Sequence, residues 1–193
     1  AYGQVLITYV SVNSTSTSVN VAVNPVINIS DGNSGTTTIP AITPTSAGRM
    51  SAATDSLAVT SNDSAGYKVT IQMTGSTNTL SSGGNSIAAA SGTTTTPAVL
   101  SANTWGFCVP SNSGNGSYTT VFGTCDGSLS SAAISSNTYA AVPKSTDTPF
   151  ILFNTASSSV GNYNTVVTFA AAVDNSTPSG TYTGTVVFTA TTN

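Results

Sequence analysis

The sequence predicts an all-β protein: an antiparallel β-sandwich of the immunoglobulin-like or jelly-roll-like kind, with an N-terminal extension strand. Three observations predict this fold class. Apolar and polar residues alternate in several short runs, and segments rich in Gly, Ser, Thr and Asn separate these runs. No stretch carries the apolar spacing of a helix. Many short strands joined by such turns are typical of antiparallel sandwiches.

The clearest strand prediction covers residues 67–73, where one face is apolar and the other polar. The apolar face comprises Tyr67, Val69, Ile71 and Met73. Residues 167–173 and 182–190 form two further alternating runs around a Pro/Gly/Asn-containing segment, which predicts a hairpin. The remaining predicted strands are residues 19–23, 26–29, 56–60, 104–109, 118–122 and 150–154.

Within the run 104–109, Trp105, Phe107 and Val109 share one face and are predicted to anchor the core. The glycine-containing segments 81–96 and 111–117 are predicted to be surface loops, because predicted strands flank each of them. The chain is therefore divided into an N-terminal strand with a polar spacer, residues 1–18, and one sandwich domain, residues 19–193.

The N-terminal strand differs from the others because it is apolar on both faces. Its apolar residues are Val5, Leu6, Ile7, Tyr9, Val10 and Val12. Such a strand belongs inside a structure, yet it precedes a polar stretch near one end of the sequence. Two interpretations remain open. The strand completes the sandwich of its own chain, or it is a donor strand that fills a groove in the next subunit.

Composition argues against catalysis. The 193 residues include no His, and the only charges are six Asp, two Lys and one Arg. Proton transfer and metal binding need groups that this chain almost lacks, so we expect no enzyme activity, no metal and no cofactor. A net charge of −3 excludes a basic surface for nucleic acid or anionic membranes. Low charge also favours self-association and predicts stability that changes little between neutral and acidic pH.

Cys108 and Cys125 are the two cysteines of the chain. Their isolation in a polar sequence favours a disulfide, which indicates an oxidising, extracytoplasmic location; two separate buried thiols are the alternative.

No signal peptide or membrane helix is visible. A first residue Ala1 in place of Met fits a mature chain after signal cleavage, or an arbitrary starting point within a longer chain.

Five Asn-x-Ser/Thr sequons mark possible N-glycosylation sites, although some arise by chance in so Asn-, Ser- and Thr-rich a chain. They are Asn13, Asn28, Asn62, Asn115 and Asn175. Asn115 and Asn175 lie in predicted loops and are the better candidates, whereas Asn28 lies in a predicted strand.

Two further patterns have both a functional and an ordinary interpretation. The sequence Asp31-Gly32-Asn33 resembles part of a calcium loop, but without a further acidic residue nearby it predicts an ordinary turn. Trp105 and the exposed candidate Tyr118 are able to stack on sugar rings, but the alternation around Trp105 favours a place in the core.

The chain resembles subunits of extracellular filaments that assemble by donor-strand exchange, namely archaeal thread and bundling-pilus subunits and the TasA-like fibre proteins. The resemblance covers the apolar strand 4–12, the Ser/Thr spacer 13–18, the polar β-domain and the closing strand 180–191. The segment 179–188 also resembles the last strand of secreted bacterial surface β-domains. The resemblance implies a homopolymer in which residues 4–12 complete the sheet of a neighbour.

Two functions follow as hypotheses. The first is a structural subunit of a pilus-like or thread-like filament at the cell surface, whose partner is another copy of itself. The alternative is a monomeric adhesin or carbohydrate-binding domain of a surface protein, whose partner is a glycan. A surface-layer or capsid-like shell protein shares the same composition.

Overall fold

A computed structural model describes residues 15–110, 122–156 and 163–193. These residues form strands without any helix, so the chain is all-β as predicted. The strands are β1 Ile27–Asp31, β2 Arg49–Ser61, β3 Tyr67–Met73, β4 Leu80–Ser82, β5 Asn85–Ala89, β6 Ala98–Val99, β7 Thr104–Cys108, β8 Thr138–Tyr139, β9 Phe150–Thr155, β10 Tyr163–Val173 and β11 Val186–Thr192.

The strands form two larger sheets and one small one. The first sheet has six strands in the order β1-β2-β10-β7-β5-β4, and the second has three in the order β11-β3-β9. Strands β6 and β8 form a separate pair. The prediction of purely antiparallel pairing is wrong for one pair of strands, and the isolated bridge between Thr45 and Asp174 is also parallel. Strands β5 and β7 are parallel, because β5 pairs antiparallel with β4 first and the chain then crosses back to reach β7.

Strand β10 is the centre of the six-stranded sheet. It pairs with β2 along its whole length and with β7 along its second half. Every residue from Val167 to Val173 is buried. Strands buried on both faces occur in the middle of sheets, which explains the continuous apolar run Ala170–Val173 in the sequence.

Side chains from both larger sheets contribute to one core. The rings of Phe169 on β10 and Phe188 on β11 have centroids 6.4 Å apart, and those of Phe107 on β7 and Phe150 on β9 are 5.7 Å apart. The predicted core residues are confirmed, since Trp105, Phe107 and Val109 are all buried. Aromatic pairs at these distances contribute about 0.5–1.5 kcal/mol each beyond the area that they bury.

The predicted disulfide is confirmed. Cys108, the last residue of β7, is bonded to Cys125, with their Cα atoms 5.8 Å apart. The bond ties the segment from Phe122 onward to the core, where the Phe122 and Phe107 rings lie 5.3 Å apart. The disulfide closes a loop of 17 residues, and the lost entropy of the unfolded chain contributes about 3 kcal/mol to stability.

Most strand predictions are confirmed with shifted bounds. Residues 67–73 form β3, whose predicted apolar face is buried. The predictions 56–60, 104–109 and 150–154 fall on β2, β7 and β9, and 26–29 overlaps β1. The prediction 19–23 is wrong, because these residues belong to no strand and are exposed. The predicted strand 118–122 and the predicted loop 111–117 fall almost wholly outside the described residues.

Two predictions about connections are also wrong. The runs near the C-terminus form no hairpin: β10 lies in the six-stranded sheet, with β2 and β7 on its two sides, so β11 joins β3 in the other sheet. The segment 81–96 is not simply a loop, because β4 and β5 form a hairpin there. Its turn, Gly83-Gly84, has positive φ at both positions, as a two-residue type I′ turn requires.

Gly106 on β7 tests how tightly this sheet is packed. A Cβ atom at position 106 would lie 2.6 Å from the carbonyl oxygen of Ala140 and 3.1 Å from the Cβ of Ala90. We expect Gly106→Ala to lower the free energy of unfolding by about 1–3 kcal/mol in denaturant titrations. The matched control is Gly123→Ala, where a Cβ meets nothing within 4 Å. Equal stability of the two variants would contradict the packing described here.

Candidate functional site

The segment 15–26, called the arm below, lies before β1 and is exposed along its whole length. Its large apolar side chains are among the most exposed in the described parts of the chain, with Val19 at 89%, Val21 at 86% and Val23 at 77%. In an extended chain these three side chains share one face, and Ile27 and Ile29 of β1 continue that face. The arm therefore presents an apolar stripe that the described residues of its own chain leave uncovered.

Burial of this stripe is energetically favourable. Covering one valine side chain contributes about 1.5–3 kcal/mol. Elsewhere in the described residues the exposed large apolar side chains are scattered singly, as Val99, Ile151 and Val187 are. Single exposed side chains are ordinary on protein surfaces, whereas three in succession on one face of a segment mark a surface that binds something.

Asn62 fixes the root of the arm. Its backbone N–H donates to the carbonyl oxygen of Val26 over 3.2 Å, one step beyond the β1–β2 ladder. Its side-chain oxygen Oδ1 accepts the Val26 N–H over 2.6 Å, and its Nδ2 donates to the carbonyl of Asn24 over 3.2 Å. The arm therefore leaves the domain from a fixed point beside the end of β2.

The edges of the two larger sheets lie side by side at β1 and β11, and this pair of strands is called the open edge below. Each strand has a single neighbour in its sheet, β2 and β3 respectively, and no ladder joins the two within the described residues. Their inward-facing side chains are half-buried, unlike those of β3, which are fully buried. These half-buried side chains are Ile27, Ile29, Val186, Phe188 and Ala190.

Unpaired edges expose backbone N–H and C=O groups that are able to pair with another strand. Natural proteins often guard such edges with charged side chains, especially Lys. Asp31 is the single charged residue on β1, and β11 carries none. The open edge therefore combines half-buried apolar side chains with little electrostatic protection.

The predicted donor-strand residues Val5, Leu6, Ile7, Tyr9, Val10 and Val12 lie outside the described residues, as do the sequons at Asn13 and Asn115. Three sequons are described. Asn28 is exposed on the outer side of β1, Asn62 is exposed at the root of the arm, and Asn175 is exposed in the turn after β10. One hydrogen of the Asn62 amide is already donated to Asn24.

The sugar-stacking candidate Trp105 and the calcium-loop candidate at Asp31 both have ordinary structural roles. Trp105 is buried, and its indole N–H donates to the carbonyl of Asn78 over 2.8 Å, so its ring is not a surface for sugars. Tyr118 lies outside the described residues. The Asp31 carboxylate accepts the Asn33 N–H over 2.6 Å, which closes a side-chain turn.

The structure places a second carboxylate beside that turn, which the sequence did not suggest. Asp55 on β2 lies two residues before Leu57, the register partner of Asp31. Asp55 is buried, and no hydrogen bond reaches its Oδ1. Burial raises the pKa of Asp55, and the adjacent Asp31 carboxylate raises it further, while hydrogen bonds from Thr37 and Ser56 act in the opposite direction.

Two negative features complete the description. In residues 15–110, 122–156 and 163–193 there is no group of three or more His, Cys, Asp or Glu side chains that could hold a metal ion. Over the same residues there is no helix with the length and apolar character needed to span a bilayer.

Comparisons with protein-family models, with curated proteins and with solved structures returned no match in any of the three. The arm and the open edge are therefore the features of the molecule that point to a function. Two of their features were missed at the level of sequence: the exposure of Val19, Val21 and Val23, and the contact of Asn62 with the arm. The valine alternation itself was visible, but it was assigned to a strand of the domain.

The raised pKa of Asp55 predicts a pH dependence of stability. The pKa of Asp55 is higher in the folded chain than in the unfolded chain, where it is about 3.8. Its contribution to stability is therefore full below pH 3.8 and is lost as the pH rises through the pKa of the folded state. Hydrogen bonds from Ser128 and Ser176 lower the pKa values of Asp126 and Asp174, whose contributions are lost as pH falls below about 3.8. We therefore expect stability to rise on acidification from neutral pH and to fall again in strong acid, in place of the nearly constant stability expected from composition alone.

Asp55→Asn tests this expectation. The variant removes a buried charge beside Asp31, so its melting temperature at pH 7 should exceed that of the wild type by about 2–4 °C for each kcal/mol of repulsion removed. The difference should disappear near pH 3, where the wild-type carboxyl is neutral. Asp147→Asn, in an exposed turn where the carboxylate accepts the Lys144 N–H, is the matched control. An unchanged or lower melting temperature of Asp55→Asn at pH 7 would contradict the repulsion.

Proposed function

We propose that the chain is a structural subunit of an extracellular cell-surface filament of the pilus, fimbrium or thread kind. One copy inserts its N-terminal segment into the next copy, and the two larger sheets form the β-sandwich that receives it. The partner is another copy of the same chain. The observation that carries the proposal is the apolar stripe of the arm, where three valines on one face are each more than three-quarters exposed.

The donor in this proposal is the N-terminal segment. The segment predicted for this role, 4–12, is mostly apolar and ends three residues before the first residue of the arm. The arm adds the alternation Val19, Val21, Val23, which suits strand addition, because backbone bonds supply affinity and alternate side chains enter the receiving sheet. Residues 4–12 and the arm together give a donor long enough to contact a whole sheet edge.

The acceptor in this proposal is the open edge. Some Cα atoms of β1 and β11 lie within 8 Å of each other. A strand inserted between two others needs two spacings of about 4.8 Å, so insertion would move these edges apart. The inserted strand would replace a loose contact with two ladders and would cover the half-buried side chains Ile29 and Phe188.

Composition supports the remaining parts of the proposal. A net charge of −3 on 193 residues leaves little repulsion between copies and no basic surface for nucleic acid. We propose a non-enzymatic role without cofactor or membrane insertion. The disulfide supports an extracytoplasmic location, and the exposed sequons Asn28, Asn62 and Asn175 are where covalent glycans would lie. A role in cell adhesion would follow from the surface that such a filament contacts.

The alternative, a monomeric adhesin or carbohydrate-binding domain, gains no specific support. Trp105 is buried, and an isolated binding domain gives no reason for the uncovered stripe of the arm. This alternative is an outcome of the experiment below.

The decisive variant replaces Val19, Val21 and Val23 with serine. Wild-type protein should form filaments in electron micrographs and elute in the void volume. The triple variant should need at least a thousandfold higher concentration to assemble, since the loss of more than 4 kcal/mol of burial corresponds to three factors of ten. The variant keeps its open edge, so a small fraction of it mixed with wild-type protein should also bind filament ends and shorten the filaments.

The control replaces Val99 and Ile151, exposed to 46% and 43% but distant in sequence from the arm, with serine. These changes should leave assembly unaltered. Assembly of the triple variant at the wild-type concentration would exclude the arm as donor. A wild-type protein that stays monomeric at all concentrations and binds glycans would favour the adhesin.

A further inference from the structure

Asn62 makes an unusual set of contacts with the two residues that flank Pro25. The residues of β1 that hydrogen-bond to β2 alternate along the strand, and the last of them is Val26, which faces Asn62. There the side chain of Asn62 takes over from its backbone as the acceptor of the Val26 N–H. Its oxygen accepts the N–H of Val26 over 2.6 Å, and its nitrogen donates to the carbonyl of Asn24 over 3.2 Å.

These bonds decide the direction in which the arm leaves the domain. With its own N–H also bonded to the Val26 carbonyl, Asn62 holds the backbone on both sides of Pro25 beside the end of β2. An Asn-Pro sequence otherwise favours a turn. A turn at this point would reverse the chain and bring Val19, Val21 and Val23 back along the open edge of their own molecule, which begins at Ile27.

We propose that Asn62 is a latch that keeps the arm from filling the open edge of its own chain and so directs it to a second copy. This inference rests on the proposed function for its consequence in assembly, but the latch itself is a property of the monomer. Asn62 is a positioning residue here, because it contacts the root of the arm and not the apolar stripe that is buried in the neighbour.

Hydrogen exchange below the concentration of assembly tests the latch directly. In wild-type monomers the backbone amides of residues 15–23 should exchange at unprotected rates. In Asn62→Ala monomers the same amides should become at least tenfold protected, because the released arm pairs with its own open edge. Asn62→Asp keeps the acceptor for Val26 and loses the donor to Asn24, so its protection should be intermediate.

Assembly gives the second readout. The concentration at which filaments form should rise about tenfold in Asn62→Ala, since self-filled subunits no longer donate or accept. Asn85→Ala, which changes an exposed asparagine on β5, is the matched control and should behave as the wild type does. Thermal melts of all variants verify that each one is folded.

The two proposals fail separately. Equal exchange of the arm in wild-type and Asn62→Ala monomers would overturn the latch, whether or not filaments form. Protection of the arm in Asn62→Ala, together with a wild-type protein that never assembles, would retain the latch and overturn the filament.

Discussion

The organisation of this protein depends on one constraint: the apolar surface of a strand must be buried. The described residues bury only part of their apolar strand surface. The core satisfies the constraint, with Phe107 and Phe169 buried against rings of strands from the other larger sheet. The arm does not, since Val19, Val21 and Val23 project from the domain. The open edge satisfies it in part, because its inward side chains are half-buried.

The same constraint connects the composition with the proposed role. A chain with nine charged side chains has few means of keeping sheet edges apart from those of other copies. In most soluble proteins such a composition favours uncontrolled aggregation. In the proposed filament, the exposed stripe lies on a single segment that is fixed at its root by Asn62, which would direct association to one geometry. The disulfide and the close packing around Gly106 stabilise the domain that would receive it.

Sequence patterns predicted those features that have a local physical cause. Period-two alternation located β3, because one of its faces is buried in the core. The same alternation at Val19–Val23 predicted an ordinary strand, since periodicity reports an amphipathic extended chain but not which molecule covers it. The hairpin was predicted wrongly because Pro/Gly/Asn turns serve equally for a return within one sheet and a crossing to another. Contacts between distant positions, such as Asn62 with Val26 and Asp55 beside Asp31, leave no local signal.

In the proposed filament the arm of one copy is buried at the open edge of another. Electron cryo-microscopy of assembled protein resolves this arrangement, because side-chain density identifies which chain supplies each strand. We expect an extended segment containing Val19, Val21 and Val23 between β1 and β11 of the adjacent subunit, in continuous density with the subunit that donates it. An arm folded onto its own subunit, or exposed to solvent between subunits, would exclude donation by the arm.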